Sequence, residues 1–361
     1  MYGRVVKVAS VTLEPWNVEL LEPFGIATGA QLVAENVLVE VTLASGARGL
    51  GEAAPFPAVN GETQANALAA LQAAAPHLPG YDRVDCLGLP SDVHAALLRT
   101  PSALAALEMA LLDASCRELG RSLFEHFGGK QPHLLTDITI PTGSPDAAAG
   151  ATRRAVEQGF VTLKVKVGGE SFDHDLLRLR RIAETAPSAR LLLDANASLH
   201  AEAALALVRG LGLHAQQVVL FEQPCRRGDL SGARKLREAG IRLAADEDAR
   251  SLADVQQLHQ ERAADVINFK LTKSGVTETL RMIHEARRLG FGLMLGGMVE
   301  TRLAMTVSAC IAGGMGDFCE LDLDTPLFMR DDRLSGGFAQ SGPSLDISTL
   351  GLGHGVTRQG S

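Results

Sequence analysis

The hydrophobic positions of this chain change rhythm near residue 130. Before that point, Asn36-Val-Leu-Val-Glu-Val-Thr-Leu43 alternates at period two, Ala44-Ser-Gly-Ala47 turns, and Gly49-Leu-Gly-Glu52 continues as a second strand. With Val5–Leu13 these make a small antiparallel sheet. Helices are expected over Glu62–Leu78, which is Ala-rich, and over Ser102–Leu119, which has Pro101 at its entry and Gly120 at its stop. In the second helix Leu104, Leu107, Leu111 and Ala114 recur at helical spacing and mark a core-facing stripe.

After Gly128-Gly-Lys-Gln-Pro132, which reads as a linker, short apolar runs alternate with helix-length segments. The predicted strands centre near Ile138, Leu163, Leu192, Val219, Leu243, Asn268, Leu293 and Cys319. Eight strands at a near-constant period point to a parallel α/β barrel of the TIM-like kind rather than an open doubly wound sheet. The expected organisation is an N-terminal α+β capping domain (1–130), a barrel (131–326) and an irregular, Gly-rich tail (327–361) that folds back on the first domain.

Five of the strand endings carry charge: Thr162-Leu-Lys-Val-Lys-Val167, Leu191-Leu-Leu-Asp-Ala-Asn196, Val218-Val-Leu-Phe-Glu-Gln-Pro224, Leu243-Ala-Ala-Asp-Glu247 and Val266-Ile-Asn-Phe-Lys-Leu271. The endings follow one another every 24–28 residues, the length of a strand plus a helix. In a parallel barrel they share one mouth, the face where active sites are built. Residues two apart on a strand face the same way, so Lys164 and Lys166 both point inward. At ~6 Å and an effective dielectric of ~20 their repulsion is ~3 kcal/mol, or ~2 pKa units. Together with a nearby metal cation, and against the opposing carboxylates, that repulsion would move a lysine from ~10.4 toward the ~7–8 that a base needs at neutral pH. Asp194, Glu222 and Asp246 end three successive strands, and three converging buried carboxylates need a cation. Oxygen-only donors select a hard ion, Mg²⁺ first and Mn²⁺ second. Lys270 keeps inward parity with Asn268 and approaches the acids from the side opposite Lys166, whereas Lys273 breaks parity and is expected at the start of the next helix.

Composition narrows the alternatives. A net charge of −8 and a pI near 5.7, without any Lys/Arg-dense run, argue against a nucleic-acid partner. Cys86, Cys116, Cys225, Cys310 and Cys319 are scattered and show no CxxC spacing, which fits reduced thiols and no zinc site. No apolar run reaches membrane-spanning length and the amino terminus has no signal-peptide core, so a cytoplasmic protein without membrane contact is expected. GxGxxG and GxxxxGK[ST] are absent, and nucleotide binding has no support. A Schiff-base barrel would use one of the paired lysines but leaves the three acids unexplained, and a non-catalytic metal-binding protein leaves the lysines unexplained.

Lys164-x-Lys166, Asp194-Ala-Asn196, Glu222-Gln-Pro224, Asp246-Glu247 and Lys270, in this order and spacing, resemble the enolase superfamily, muconate lactonizing enzyme subgroup. That superfamily uses a Lys or His base with Mg²⁺ around an ene-diolate. The resemblance covers nearly the whole chain and implies a (β/α)₇β barrel behind a capping α+β domain. It also implies one Mg²⁺ on Asp194, Glu222 and Asp246, Lys166 and Lys270 as the acid/base pair, and Lys164 as the group that tunes Lys166 and touches the bound carboxylate. Asn196 and Met298 fall to the substrate pocket, Met298 within Gly296-Gly-Met-Val-Glu-Thr-Arg302 at the mouth of the seventh strand. The family often forms symmetric assemblies, so the resemblance allows a homo-oligomer, which no sequence feature of this chain specifies.

The reaction is read from the last strand, Phe318-Cys-Glu-Leu-Asp-Leu-Asp-Thr-Pro326. Asp322 and Asp324 stand two apart, and their Asp-x-Asp resembles that of dipeptide epimerases, where it holds the ammonium of the dipeptide. An N-succinylamino acid racemase or o-succinylbenzoate synthase, the alternative within the superfamily, would bring negative charge to that place. The expected function is therefore a Mg²⁺-dependent dipeptide epimerase of the L-Ala-D/L-Xaa type, working by two-base 1,1-proton transfer through a stabilised enediolate. Two loops, Phe24-Gly-Ile-Ala-Thr-Gly-Ala-Gln31 and Pro55-Phe-Pro-Ala-Val-Asn-Gly61, match the closing loops of the family. Epimerases of the Ala-Glu type carry an arginine in the first loop, whereas no basic residue lies between Glu22 and Glu35 here, so the resemblance implies that Phe24, Ile26, Phe56 and Val59 suit a small or apolar side chain.

Overall fold

The computed structural model describes residues 6–26, 29–83, 88–331 and 333–359. The alternating N-terminal segment lies in a four-stranded sheet of β1 (Val6–Ile26), β2 (Gly29–Leu43), β3 (Arg48–Ala53) and β4 (Asp82–Arg83), in the order β3-β2-β1-β4. β1 runs well beyond the expected Val5–Leu13 because β2 pairs with it antiparallel almost to its end. On one face Val37, Val39, Val41 and Leu43 pack against helices; on the other, Leu38 and Leu50 meet Met298, Val299 and Leu303 of the barrel mouth. Helices α1 (Pro57–Asn60), α2 (Gln64–Ala74), α3 (Ser91–Leu97), α4 (Pro101–Glu118) and α5 (Leu123–His126) complete this region. The helix expected over Glu62–Leu78 ends early and passes into a 3₁₀ turn at Ala75–His77, where Pro76 cannot supply a backbone N–H.

Helix α4 is buried from Ser102 to Cys116 because it has partners on both sides. Leu104, Leu107, Leu111 and Ala114 belong to the N-terminal core, whereas Ala105, Met109, Leu112 and Cys116 join the barrel core. Gly49 and Gly51 let β3 approach α4 so closely that an added methyl at Gly51 would land on the Ala106 carbonyl.

β5 (His133–Leu135) leads into the barrel. Its strands are β6 (Ile138–Ile140), β7 (Thr162–Lys166), β8 (Arg190–Asp194), β9 (Val218–Glu222), β10 (Leu243–Ala245), β11 (Val266–Phe269), β12 (Gly292–Leu295) and β13 (Phe318–Leu321). They pair in parallel in sequence order, and every expected strand centre falls inside its strand. Seven crossovers carry α6 (Pro145–Glu157), α7 (Phe172–Thr185), α8 (Ala201–Gly210), α9 (Leu230–Glu238), α10 (Leu252–Gln260), α11 (Leu271–Ser274) with α12 (Val276–Arg288), and α13 (Arg302–Met315). This is the expected (β/α)₇β arrangement with a separate α+β layer in front of it. The sheet curls until its edge strands meet: the Asp137 N–H donates to the Leu321 carbonyl (3.0 Å) and the Leu323 N–H to Thr136 Oγ1 (2.8 Å).

Inside the barrel Leu192, Leu220, Ala244, Val266 and Met294 form an apolar layer. The next inward positions, two residues on, are Asp194, Glu222, Asp246, Asn268 and Gly296. The polar mouth thus stands on an apolar floor.

Two buried carboxylates tie the N-terminal region to this mouth. Glu52 accepts from the Thr301 N–H (3.0 Å) and Oγ1 (2.6 Å) at the start of α13, and from Asn36 Nδ2 (2.6 Å). Glu108 accepts from the Val276 and Thr277 N–H groups (2.5 and 3.2 Å) at the start of α12. Each satisfies helix-end donors and meets the positive end of the helix dipole. The tail adds β14 (Leu334–Ser335), β15 (Ala339–Ser341), β16 (Ser344–Asp346) and β17 (Thr357–Arg358). β16 pairs with β5, and Arg358 binds Glu14 (2.6 Å). No described helix is long and apolar enough to cross a membrane.

Gly51→Ala should destabilise the protein by about 1–3 kcal/mol, the usual cost of overpacking a tight core. Urea unfolding followed by circular dichroism measures it; an unchanged midpoint would mean that β3 and α4 are not in close contact.

Candidate active site

The five charged strand endings meet at the barrel mouth, and the parallel register sets them side by side. Lys166 pairs across from Asp194, and Asp194 from Glu222. Lys164, Lys166, Asp194, Glu222, Asp246 and Lys270 are all buried. Acids and ammonium groups interleave. Lys166 Nζ lies 2.7 Å from Asp194 Oδ2. Lys164 Nζ bridges Asp194 Oδ2 (3.1 Å) and Glu222 Oε2 (2.7 Å), and reaches Asp322 Oδ2 at 2.6 Å. Lys270 Nζ spans Asp246 Oδ2 (2.7 Å) and Glu222 Oε1 (3.7 Å). Lys166 and Lys270 therefore stand at opposite ends of the Asp194–Glu222–Asp246 series.

Burial opposes charge on every one of these groups, and pairing decides the direction of each shift. Burial acts upward on Asp194, yet Lys166 and Lys164 hold its carboxyl below the usual carboxylate range. Against burial, Lys270 and Lys273 hold Asp246 well below that range. Glu222 goes the other way, pushed up to about 7 by burial and by Asp194. At Lys164 the opposing carboxylates set the direction. Burial pulls it down, but Asp322, Glu222 and Asp194 hold it well above the ordinary lysine range. Lys270 is likewise held high, against burial, by Asp246 and Glu222. The lysines serve as counter-charges for the acids.

The sequence left out Lys273, and the structure brings it in. Beyond Phe269 the strand gives way to the short helix α11, so strand parity no longer applies. One helical turn past Lys270 the side chain turns back to the same site. Its Nζ lies 2.6 Å from Asp246 Oδ1, 2.7 Å from the Asp246 carbonyl and 2.8 Å from the Asn268 carbonyl. Asn268 Nδ2 in turn donates to Glu222 Oε1 (2.8 Å). Asn196 accepts from Lys166 (3.4 Å) and donates to Glu247 Oε1 (3.5 Å). Burial, then Asp246, pushes Glu247 up to about 8.

Asp322 and Asp324 lie beyond β13 and face the same cleft, together with Thr139, Asn196, Met298, Phe56 and Val59. Asp322 already has a cationic neighbour in Lys164, which the sequence did not anticipate. Asp324 Oδ2 accepts the Thr139 N–H across the barrel seam (2.6 Å), and burial with Asp322 pushes its carboxyl up to about 7. Glu300 folds beneath the mouth loop and accepts the Met298 N–H (2.8 Å), which sets the wall of the cleft. The side chains of Phe24 and Ile26 lie outside the described residues. A larger cleft opens at the other end of the barrel, beside His133, Arg190 and Glu320. The strand-end cleft carries the bases and acids, and it is the candidate site.

Asp194, Glu222 and Asp246 present only carboxylate oxygens, fully buried and compensated by shared ammonium groups. That donor chemistry fits a hard divalent ion such as Mg²⁺. Among the described residues, the three acids whose oxygens lie within 4.8 Å of one another are a different set, Asp137, Asp322 and Asp324. In the strand-end series the lysines stand between the acids.

Comparison with known proteins places this site in a family. Residues 8–128 match the mandelate racemase/muconate lactonizing enzyme N-terminal domain, and residues 146–359 match the enolase C-terminal domain-like family. An aromatic dipeptide epimerase of Herpetosiphon aurantiacus is 45% identical over 350 residues, covering 97% of this chain and 98% of that one. A hydrophobic dipeptide epimerase of Citrifermentans bemidjiense is 36% identical over 358 residues, covering 97% and 96%. The crystal structure of a dipeptide epimerase from Enterococcus faecalis V583, complexed with Mg and the dipeptide L-Leu-L-Tyr, superposes with a TM-score of 0.90 at 28% identity, covering 98% of this chain and 100% of that one. With both of its halves matched and close relatives aligned over nearly its full length, the chain belongs to the mandelate racemase/muconate lactonizing enzyme family of the enolase superfamily.

Proposed function

We propose that this chain is a Mg²⁺-dependent dipeptide epimerase, with Lys166 and Lys270 as the two bases. Its class is isomerase, an epimerase acting on dipeptides. The observation that carries the reading is the placement of two lysines at opposite ends of one carboxylate series, with Lys166 on Asp194 and Lys270 on Asp246. A proton taken from one face of an α-carbon between them can be returned to the other. Relatives aligned over nearly the whole chain are named dipeptide epimerases, and this supports the substrate class.

Asp194, Glu222 and Asp246 would hold Mg²⁺, or Mn²⁺ in its place. When bound, the ion supplies Lewis-acid stabilisation of negative charge on the substrate carboxylate. The remaining work belongs to the chain's own residues. Lys164, which bridges Asp194 and Glu222, orients the substrate carboxylate, while Asn196 fixes the Lys166 side chain. Asp322 and Asp324 receive the α-ammonium of the dipeptide, which a succinylated amino acid lacks. Phe56, Val59 and Met298 line the cleft with apolar surface and favour an apolar side chain on the epimerised residue. The aromatic and hydrophobic dipeptides in the relatives' names agree with that choice.

Deuterium incorporation read by mass spectrometry tests the assignment, with Mg²⁺ in D₂O and an L-Ala-L-Xaa library beside N-succinylamino acids. A one-dalton gain on dipeptides with apolar side chains is expected. Gain on succinylated substrates alone would move the protein to the racemase or o-succinylbenzoate synthase branch. For the bases, Lys166→Ala and Lys270→Ala should each lower epimerisation by about 10²–10⁴-fold. Each variant should still exchange the α-proton of one stereoisomer, the isomer differing between the two. Full racemisation by either variant would remove the two-base assignment.

A further inference from the structure

Asp137 is a buried acid to which the function above gives no role. It precedes β6 at the barrel seam, two residues before Thr139 on the inward side; it borders the cleft at the other end of the barrel and lies beneath Asp322 and Asp324, which line the strand-end cleft. Neither of its carboxyl oxygens has a hydrogen-bond partner, and Asp324 Oδ1 also lacks one. One oxygen each from Asp137, Asp322 and Asp324 lies within 4.8 Å of the other two. Asp322 Oδ2 takes Lys164 Nζ and Asp324 Oδ2 takes the Thr139 N–H, both at 2.6 Å. Buried acceptors without donors are costly, and both Asp137 oxygens and Asp324 Oδ1 are of this kind.

Resting on the dipeptide reading, we propose that three carboxyl groups receive the substrate's α-ammonium, with Asp137 as the third acceptor beside Asp322 and Asp324. A primary ammonium has three N–H donors at tetrahedral angles. With N···O near 2.8–2.9 Å, its acceptors stand roughly 4.6 Å apart, within the spacing of this cluster. A water molecule has two donors and satisfies two acids at most. A hard divalent ion at about 2.1–2.5 Å draws its oxygens to about 3–3.5 Å, a tighter cage. Burial, with Asp322 and Asp324 beside it, holds the Asp137 carboxyl well above the usual range. A three-acceptor pocket also sets a specificity: it favours a primary amine over a secondary one, whose two N–H groups leave one acid unpaired.

Steady-state kinetics on an L-Ala-L-Xaa dipeptide that the wild type epimerises, and on its N-methyl-L-Ala counterpart, tests this. The wild type should show kcat/KM at least about tenfold lower for the N-methyl substrate. Asp137→Ala should raise KM for the primary amine by about tenfold with a smaller change in kcat, and should bring the two substrates close together. Asp137→Asn keeps a carbonyl acceptor and should restore most of the KM. Equal use of the two amines by the wild type, a comparison that needs no variant, would overturn the proposal. So would an Asp137→Ala enzyme with wild-type KM and amine preference. A wild type that epimerises no free-amine dipeptide fails at the earlier step and removes the dipeptide reading itself.

Discussion

Three buried carboxylates cannot share a barrel mouth without positive charge among them, and most of this structure answers that constraint. Asp194, Glu222 and Asp246 are almost wholly inaccessible to solvent. An isolated buried carboxylate would take up a proton rather than stay charged. Here Lys164, Lys166, Lys270 and Lys273 surround the series, and two of the three acids are held below the ordinary range despite burial. The same contacts hold Lys164 and Lys270 high. A lysine so held is a poor base. A divalent ion on the carboxylates would take over their charge compensation and free the ammonium groups to titrate lower, toward the range a base needs. The interleaved arrangement thus sets the ammonium groups of Lys164 and Lys270 on the same acids that would hold a metal ion.

The N-terminal region bears on the same mouth. Glu52 and Glu108 bind the first N–H groups of α13 and α12, the helices that follow the Met298 loop and the Lys270–Lys273 turn. The capping layer is thus hydrogen-bonded to the helix behind the cleft wall and to the helix that follows Lys270 and Lys273. Leu38, Leu50 and Phe56 pack against Met298 and Val299, so the closing surface and the pocket wall form one apolar cluster. Excluding water over such a site strengthens the electrostatics within it.

Much of this was legible in the sequence. Period-two parity placed Lys164, Lys166 and Lys270 on the inward side, strand-end position brought Asp194, Glu222 and Asp246 together, and strand-length apolar runs located all eight barrel strands. Lys273 was hidden because the backbone turns helical just before it, and strand parity stops at Phe269. Asp137 was hidden for a different reason: its neighbours lie across the seam between the first and last barrel strands, a closure that no local pattern encodes. Repulsion between Lys164 and Lys166 followed from spacing alone. The larger pull of Asp322, Glu222 and Asp194 on Lys164 needed the three-dimensional arrangement.

In the proposed epimerase the barrel mouth holds two acidic groups with different partners, the strand-end series for a metal ion and the seam cluster for an ammonium. A crystal structure grown with Mn²⁺ and read by anomalous scattering separates them directly. The account requires one manganese peak among Asp194, Glu222 and Asp246, with Lys164 and Lys270 withdrawn from Glu222. A peak between Asp137, Asp322 and Asp324, with none at the strand-end acids, would contradict it.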